Sequence, residues 1–422
     1  MKDDATGTGL LPDLQRIDRL MAAAGLDVLI ATSKHNTQYL LGGYRFIFFA
    51  AMDAIGHSRY LPVVIYRRGK VDHAAYIGNK MEGGEHANHP FWPPTFLPAC
   101  WGSVDAAKLA VAHLEKIGAK GQRIGIEPGF LPSDAWQVLA GFSPLLDATA
   151  MLEEMRAIKT PAELGLLRQA SELITDSMLA TIGAAREGWT KARIIEELRQ
   201  QETSRGLHFE YCLLTLGASH NRASSDQTWQ PGEVLSIDSG GNFHGYIGDL
   251  CRMGVLGEPD AELSDLLAEV MSVQDAAFAW VKPGVEGGVM IEKAEAVLKA
   301  GPSAKFNDFF AHGMGLISHE VPFLMTNHPV AYEGVDAARK LAQQFLELGP
   351  DSLPVLFRIM SDPSPPVPIH VRLRAFALKA GVPFVRPETP DRLREKASWA
   401  IQLHETNALP LLPDFRLLPP AR

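Results

Sequence analysis

The stretch VLSIDSGGNFHGYIGDLCR, residues 234–252, decides how the second half of the chain folds. Apolar and polar residues alternate on both sides of a glycine-rich reversal, which predicts two antiparallel strands joined as a hairpin. A reversal centred between Phe243 and His244 would pair two acids directly across the strands. These acids are Asp238 and Asp249. Side chains paired in this way lie roughly 5 Å apart, so the sequence predicts two carboxylates that face each other.

Two like charges opposite each other destabilise a hairpin, so something must offset the two aspartates. Carboxylate oxygens suit divalent cations such as manganese, magnesium, iron or zinc, which makes a bound cation the first interpretation. In the alternative, the turn lies elsewhere, for instance at SGGN, residues 239–242, and both acids are solvated. The spacing of the aspartates leaves both interpretations open.

A second stretch, FFAHGMGLISHEVP at residues 309–322, places His312, His319 and Glu320 around a flexible glycine segment. Imidazole joins carboxylate at borderline metals, and glycines allow the backbone to approach a site closely. Taken alone, histidines of this kind are more often structural residues with satisfied hydrogen bonds than metal ligands. The segment favours a metal site only in combination with the aspartates of the hairpin.

The rest of the chain predicts two layered parts. Residues 10–150 alternate helical and strand patterns, for example LQRIDRLMAAAGLD followed by VLIATS, which is typical of an α/β domain. From about Met151 several helices follow one another, and TKARIIEELRQQETSRG opens with Thr190 in the N-cap position. Strand patterns then return, so the second domain is predicted to be α+β.

Composition limits the classes of function. The chain has 422 residues, which predicts two or three domains, and its 46% hydrophobic content is typical of a soluble globular protein. A net charge of -9 argues against a nucleic-acid or anionic-membrane partner, because both call for a basic face. The three cysteines favour neither a disulfide framework nor a thiolate metal site. With no apolar signal segment or membrane-spanning run in the sequence, a cytoplasmic location is expected.

Four ordered segments resemble the creatinase, prolidase and methionine aminopeptidase family, whose catalytic domain has the "pita-bread" fold. They are Asp238 with Asp249 eleven positions later, the segment HGMGLISHEVP, the segment MRAIKTPAELGLLRQASE, and the preceding α/β region. The resemblance covers residues 10–339. It implies a creatinase/prolidase-type N-terminal domain over residues 1–150, a partial pita-bread catalytic domain over residues 151–339, and a homodimer.

The resemblance also implies roles for individual residues. Asp238 would be the first acidic metal ligand, binding through both oxygens, and Asp249 would bridge two metals. His312 would ligate one metal, while His319 would stabilise negative charge at the substrate carbonyl or donate a proton. Glu320 would support the site rather than bind a metal.

Two further candidates come from neighbouring motifs. GASHNRAS, residues 217–224, resembles the creatinase-like segment in which a histidine contacts substrate, so His220 is a candidate catalytic acid or base. A turn histidine capped by Asn221 is the alternative for this position. Arg252 follows Asp249 by three positions and is expected to orient an acid through paired hydrogen bonds, as a supporting residue.

The function implied by the resemblance is that of a metal-dependent hydrolase of the Xaa-Pro peptidase type. Two divalent metals, either manganese or cobalt, zinc or iron, would share a water and lower its pKa from about 15.7 towards neutrality. The expected substrates are Xaa-Pro peptides, with small amide or amidine compounds such as creatine as alternatives.

Residues 340–422 depart from the family pattern. The two strands that should each carry a glutamate ligand do not appear, and the sequence instead predicts helices separated by prolines. This tail could be a helical replacement, a shifted reading frame or a gene fusion. Two alternatives to the metal-dependent hydrolase therefore stay open: an impaired or inactive member that binds a small molecule or partner, and a creatinase-like metal-free hydrolase. The acids that might replace the glutamates lie outside predicted strands and are Glu333, Glu388 and Glu405.

Overall fold

The computed structural model describes residues 11–50, 58–282 and 284–324. Within these residues an α/β part precedes an α+β part, so the predicted fold class is confirmed there. The predicted helical tail at residues 340–422 lies outside the described residues. The same holds for the three candidate replacement ligands, Glu333, Glu388 and Glu405.

The first part of the chain is built on a six-stranded mixed sheet. Its strands are β1 (Val28–Ala31), β2 (Val63–Arg67), β3 (Lys70–Ile77), β4 (Thr95–Leu97), β5 (Ile124–Ile126) and β6 (Leu145–Asp147). The strand order is β4-β3-β2-β1-β5-β6, with antiparallel pairs at β1/β2 and β2/β3 and parallel pairs elsewhere. All four residues of β1 are buried, as is typical of an inner strand of a sheet whose two faces are both covered, and β1 lies between β2 and β5.

The helices of this part are α1 (Leu14–Ala23), α2 (Lys34–Leu40), α3 (Ile47–Ala50), α4 (Gly83–Asn88), α5 (Ser103–Lys116), α6 (Ser133–Ala140) and α7 (Thr149–Ala157). Side-chain caps define where two of them begin. The Asp13 carboxylate accepts a hydrogen bond from Arg16 N at 2.9 Å, and the Ser33 hydroxyl accepts one from Asn36 N at 3.2 Å. The start of α2 is therefore fixed directly after β1.

The second part consists of two helices and a three-stranded antiparallel sheet. The helices are α8 (Pro161–Ala184) and α9 (Lys191–Ser204), and the strands are β7 (His208–Leu216), β8 (Val234–Phe243) and β9 (Tyr246–Val255). The strand order is β7-β8-β9. The predicted N-cap at Thr190 is confirmed, since its hydroxyl accepts a hydrogen bond from Arg193 N at 3.2 Å. The buried core of this part includes Ile174, Met178, Ile194, Leu198, Leu214, Leu235 and Ile237.

A capping box begins α8 and also attaches this helix to β9. Thr160 Oγ1 accepts a hydrogen bond from Glu163 N at 3.3 Å, and Glu163 Oε2 accepts one from Thr160 N at 2.7 Å. The other carboxylate oxygen, Glu163 Oε1, accepts the hydroxyl hydrogen of Tyr246 at 3.0 Å. One buried carboxylate therefore fixes both the start of α8 and the start of β9.

Contacts group the described residues up to Asp260, together with His312–Val321, into one compact unit. The second unit contains α10 (Ala261–Phe278) and α11 (Gly287–Ala300), which bury their own apolar core. A two-stranded sheet is formed by β10 (Ala311–Gly313) and β11 (Glu320–Leu324). The domain boundaries near residues 150 and 339 stay a prediction. Within the described ranges, no helix is both long and apolar enough to cross a membrane.

The packing of β9 on α8 depends on Gly248. A Cβ at this position would lie 2.8 Å from the backbone carbonyl carbon and oxygen of Ala170, and backbone atoms cannot move aside easily. We predict that Gly248→Ala lowers the free energy of unfolding by about 1–3 kcal/mol in urea denaturation. The control is Gly165→Ala on the exposed face of α8, where an added Cβ has nothing within 4 Å. This control should be neutral or stabilising by up to about 1 kcal/mol, and an equal loss in both variants would contradict the prediction.

A buried acid, Glu202, lies between α9 and the three-stranded sheet. Its Oε1 accepts a hydrogen bond from Ser239 Oγ at 3.1 Å, whereas its Oε2 has no hydrogen-bond partner among the described residues. Burial raises the pKa of Glu202 from 4.5 to about 8. The folded protein therefore keeps a proton that the unfolded chain loses above pH 4.5, and this group makes stability fall as pH rises from about 4.5 to about 8.

Replacing this acid should remove the pH dependence that it causes. In the wild type, Glu202 should lower the free energy of unfolding by up to roughly 1.4 kcal/mol for each pH unit between about pH 4.5 and pH 8. We predict that Glu202→Gln removes this decrease. The variant should therefore be more stable than the wild type at pH 8. The control is Glu196→Gln, which removes an exposed acid of the same helix. Parallel stability profiles for the wild type and Glu202→Gln would show that this assignment is wrong.

Candidate metal centre

The hairpin of β8 and β9 turns one residue later than the sequence predicts. Phe243 pairs with Tyr246, so the two turn residues are His244, with φ 50°, and Gly245, with φ 97°. Two consecutive positive φ values give a two-residue turn whose twist matches that of the flanking strands. The register of the whole hairpin follows from this turn.

The register separates the two aspartates along the strands. Asp238 lies opposite Cys251, and Asp249 lies opposite Gly240. The predicted direct pairing of Asp238 with Asp249 is therefore wrong, because moving the turn by one residue changes every cross-strand partner by two. The acids are diagonal neighbours on the same face, roughly 7–8 Å apart by backbone spacing.

Gly240 leaves room for a tyrosine to reach Asp249. A Cβ on Gly240 would overlap the ring of Tyr211, which comes from the adjacent strand β7. In this position the Tyr211 hydroxyl donates a hydrogen bond to Asp249 Oδ1 at 2.5 Å. Burial and this hydrogen bond raise the pKa of Tyr211 above its ordinary value, so the phenol remains a donor. One oxygen of Asp249 is thus occupied by the protein itself.

The other oxygen of Asp249 faces two histidines. Asp249 Oδ2 lies 3.8 Å from His312 Nε2 and 3.9 Å from His319 Nδ1. The two imidazole rings are stacked, with their centroids 4.1 Å apart. Burial and the neighbouring His312 lower the pKa of His319, while Asp249 raises it. The lowered pKa favours the neutral imidazole, which is the form that binds metals.

These three side chains fit one divalent cation. One ligand atom from each of Asp249, His312 and His319 lies within 4.8 Å of the other two. Ligands about 2.0–2.2 Å from a tetrahedral ion are roughly 3–3.5 Å apart, so only a small closure is needed. One carboxylate oxygen and two imidazole nitrogens suit borderline cations such as manganese, iron or zinc. The predicted ligands Asp249 and His312 do come together, and their metal-binding role stays a prediction.

Asp238 has a different partner. The guanidinium of Arg222 forms an ion pair with Asp238 Oδ2. Burial raises the pKa of Asp238, and the hydrogen bond and charge of Arg222 lower it. A cation on Asp238 would have to compete with the positive charge of this guanidinium. The described residues therefore fit a single ion, and the second ion that Asp238 was expected to share stays a prediction.

Two family models match the chain in succession. The Creatinase/Prolidase N-terminal domain matches residues 14–158, and Metallopeptidase family M24 matches residues 165–342. The chain belongs to metallopeptidase family M24. The family resemblance of the sequence is therefore confirmed, and the α+β part of the fold is the pita-bread domain of M24 proteins.

Individual M24 relatives are distant. The uncharacterized peptidase YqhT of Bacillus subtilis is 23% identical over 325 residues, which cover 74% of this chain and 84% of YqhT. An Xaa-Pro dipeptidase of Lactobacillus delbrueckii is 26% identical over 55% of this chain and 60% of its own length. For several other curated relatives the match spans about half of their length. The crystal structure of a prolidase from Thermococcus sibiricus shares the fold, with a TM-score of 0.62, 18% identity, and coverage of 74% of this chain and 83% of that chain.

The structure separates two other predicted site residues of this M24 chain from the cluster. His220 is exposed in the segment between β7 and β8, and its role as an acid or base stays a prediction. Arg252 donates to Thr175 Oγ1 at 3.3 Å and to the Cys251 carbonyl at 2.8 Å, so these two hydrogen bonds go to a hydroxyl and a carbonyl and not to an acid, and its supporting role stays a prediction. Alternation along β9 explains this difference, because a residue three positions from Asp249 points to the opposite face.

Two contacts of the M24 site could not be recognised in the sequence. Tyr211 reaches Asp249 only because of the strand register that places it over Gly240. Arg222 lies in the GASHNRAS segment, two residues after His220. Only the folded structure shows that Arg222 forms an ion pair with Asp238. The GASHNRAS motif therefore indicated the right segment, but it did not indicate which residue of that segment reaches the site.

A cavity of about 470 Å³ adjoins the cluster and is lined by Tyr211 and Ser318. Tyr211 binds Asp249, and Ser318 Oγ lies 2.9 Å from His319 Nδ1, so the cavity wall and the cluster share these contacts. Lys34 and Arg45 bring positive charge to the same wall, and Glu210 brings negative charge. The volume lies in the range that is typical of small-molecule sites.

The cluster predicts stoichiometric metal binding. We expect about one Mn²⁺ per chain by calorimetric titration, and we expect His312→Ala to weaken binding by about 100-fold, because the imidazole ligand with the more buried side chain is lost. The control is His89→Ala, which removes an exposed histidine of the N-terminal part. Unchanged affinity in His312→Ala, or an equal loss in His89→Ala, would contradict this location for the metal.

Proposed function

We propose that this chain is a metal-dependent exopeptidase of the Xaa-Pro dipeptidase type. The observation that carries the proposal is the cluster of Asp249, His312 and His319 in a member of metallopeptidase family M24. The names of relatives add support, since the Lactobacillus delbrueckii relative is an Xaa-Pro dipeptidase. A bound divalent cation would polarise the scissile carbonyl and lower the pKa of an attacking water.

The burial of the three side chains suggests a division of roles. The side chains of Asp249 and His312 are 9% and 16% exposed, whereas that of His319 is 54% exposed. We assign Asp249 and His312 to holding the cation and His319 to the substrate carbonyl. There a neutral imidazole donates a hydrogen bond to the developing oxyanion. Tyr211 keeps Asp249 Oδ1 occupied, so that Oδ2 remains directed at the histidines.

The neighbouring cavity supports a short peptide as substrate. Its size suits a dipeptide or a similar small molecule, and the cationic side chains of Lys34 and Arg45 can attract a free carboxylate. Arg45 is held by a hydrogen bond from Nη1 to Asn242 Oδ1 at 2.8 Å. A small amide or amidine substrate with a carboxylate would fit the same arrangement. Manganese as the cation, a homodimer and a cytoplasmic location remain predictions of the family resemblance.

One observation favours a second candidate function. The ion pair between Arg222 and Asp238 occupies an acid that was expected to bind metal. A family member with this pair could bind peptide or metal without turnover, as an inactive relative. The metal-free hydrolase that would use His220 and His319 has less support, because His220 is exposed and lies outside the cluster.

Turnover of Xaa-Pro dipeptides distinguishes these candidates. We expect protein loaded with Mn²⁺ to release proline from Ala-Pro, and we expect His319→Ala to lower kcat by about 100-fold or more, because the oxyanion loses its donor. The release of proline is measured directly, and metal content is measured on the same samples. His89→Ala, on the surface of the N-terminal part, is the control and should keep the wild-type rate.

The outcomes separate the two functions. Metal binding without proline release would favour the inactive relative and overturn the exopeptidase. Proline release that survives chelation and depends on His319 and His220 would point to metal-free hydrolysis. Turnover that needs metal and His319 supports the proposed function.

A further inference from the structure

We propose that Arg156 and Lys159 are positioning residues that hold the loop at residues 313–319 through the carboxylate of Glu320. The loop carries His319 and follows His312, so its position sets the distance of both imidazoles from Asp249. The inference rests on the proposed function, which gives this cluster its purpose. It adds that the N-terminal α/β part controls the geometry of the cluster in the same chain.

The first step of the argument is the environment of Glu320. This carboxylate is 1% exposed at its side chain and has two cationic neighbours, Arg156 Nε at 3.1 Å from Oε1 and Lys159 Nζ at 2.8 Å from Oε2. Their side chains are 3% and 8% exposed. The two cations hold the carboxylate from both of its oxygens, and removing Glu320 would leave two buried positive charges without their partner. Glu320 also accepts a hydrogen bond from Leu316 N at 3.1 Å, which connects the carboxylate to the loop.

The second step is the position of Gly315 between Glu320 and β9. The carbonyl of Gly315 accepts a hydrogen bond from Ile247 N at 2.8 Å, two residues before Asp249 in β9. A Cβ on Gly315 would overlap Glu320 Oε2, so only glycine fits between the strand and the carboxylate. The loop is therefore held on one side by the strand that carries Asp249 and on the other by the buried Glu320.

The third step connects Arg156 to the six-stranded sheet. Arg156 Nη1 donates a hydrogen bond to Asn36 Oδ1, and Asn36 Nδ2 donates one to Glu127 Oε1 at 2.6 Å. Glu127 Oε2 accepts hydrogen bonds from Thr32 N at 2.7 Å and Ser33 N at 3.1 Å, directly after β1. Asn36 and Glu127 are 2% and 1% exposed. A continuous buried chain of polar contacts thus runs from the end of β1 to the loop beside His319.

The geometry of arginine is essential to this connection. Arg156 uses Nε for Glu320 and Nη1 for Asn36, so one side chain bonds two groups in different directions. A lysine at the same position keeps the charge but has a single nitrogen, which cannot reproduce both contacts. Arg156→Lys therefore separates the effect of positioning from the effect of charge.

The experiment compares three full-length variants with the wild type. Arg156→Lys breaks the connection at its centre, and Asn36→Leu breaks it inside the N-terminal part. Arg123→Gln is the matched control, because it removes an exposed ion pair with Asp27 in that same part. Hydrogen–deuterium exchange by mass spectrometry follows the peptides that cover residues 311–320, and calorimetry with Mn²⁺ measures the dissociation constant.

We expect faster exchange at residues 313–319 in Arg156→Lys and Asn36→Leu, with a Mn²⁺ dissociation constant raised by about 10- to 100-fold. The control should match the wild type in both measurements. Loop exchange at the wild-type rate in both variants would overturn the proposal, and so would an equal rise in exchange throughout the six-stranded sheet. If Asn36→Leu does not fold, Arg156→Lys and Lys159→Met carry the test.

The exchange measurement does not depend on the proposed function. Wild-type protein that binds no Mn²⁺ and releases no proline would remove the exopeptidase proposal, and the exchange of the loop would still decide whether Arg156 positions it. Conversely, an active metal-loaded enzyme whose loop and Mn²⁺ affinity ignore the changes at Arg156 and Asn36 would remove only this inference.

Discussion

The register of the β8–β9 hairpin is the constraint on which the candidate site depends. The turn at His244 and Gly245 places Asp249 opposite a glycine, and the vacant space above that glycine admits the ring of Tyr211. The outer edge of β9 then receives the loop through the hydrogen bond from Ile247 to Gly315. Strand β9 therefore binds Tyr211 through Asp249, and its free edge binds the loop that carries His319.

Charge is balanced separately for each acid. Asp238 is paired with Arg222, and Glu320 with Arg156 and Lys159, so these carboxylates are neutralised by the protein. The cluster instead combines one carboxylate with two imidazoles, and a cation is the charge that would balance it. This difference explains why Asp249 alone is the centre of the site, and why Asp238 does not share that role.

Local sequence patterns predicted the α/β and α+β parts, the N-cap at Thr190 and the segments that form the site, because these features depend on neighbouring residues. The pairing of Asp238 with Asp249 was wrong because glycines occur at several places in the reversal and only the turn conformation selects one. The contacts of Tyr211 and Arg222 join residues 38 and 16 positions apart, and no local pattern encodes such partners. Arg156 and Glu320 are 164 positions apart, so no local pattern predicts their contact either. Both residues lie in segments that carry the family resemblance.

The close approach of Tyr211 to Gly240 links the evolution of two positions on different strands. A side chain at position 240 would displace the ring of Tyr211 and leave Asp249 without its hydroxyl donor. Replacement of the glycine is therefore harmless to this hydrogen bond only in a protein that lacks the tyrosine. A side chain at position 240 and a large ring at position 211 therefore exclude each other in this register. The size of the residue at position 240 consequently limits which residue position 211 can carry.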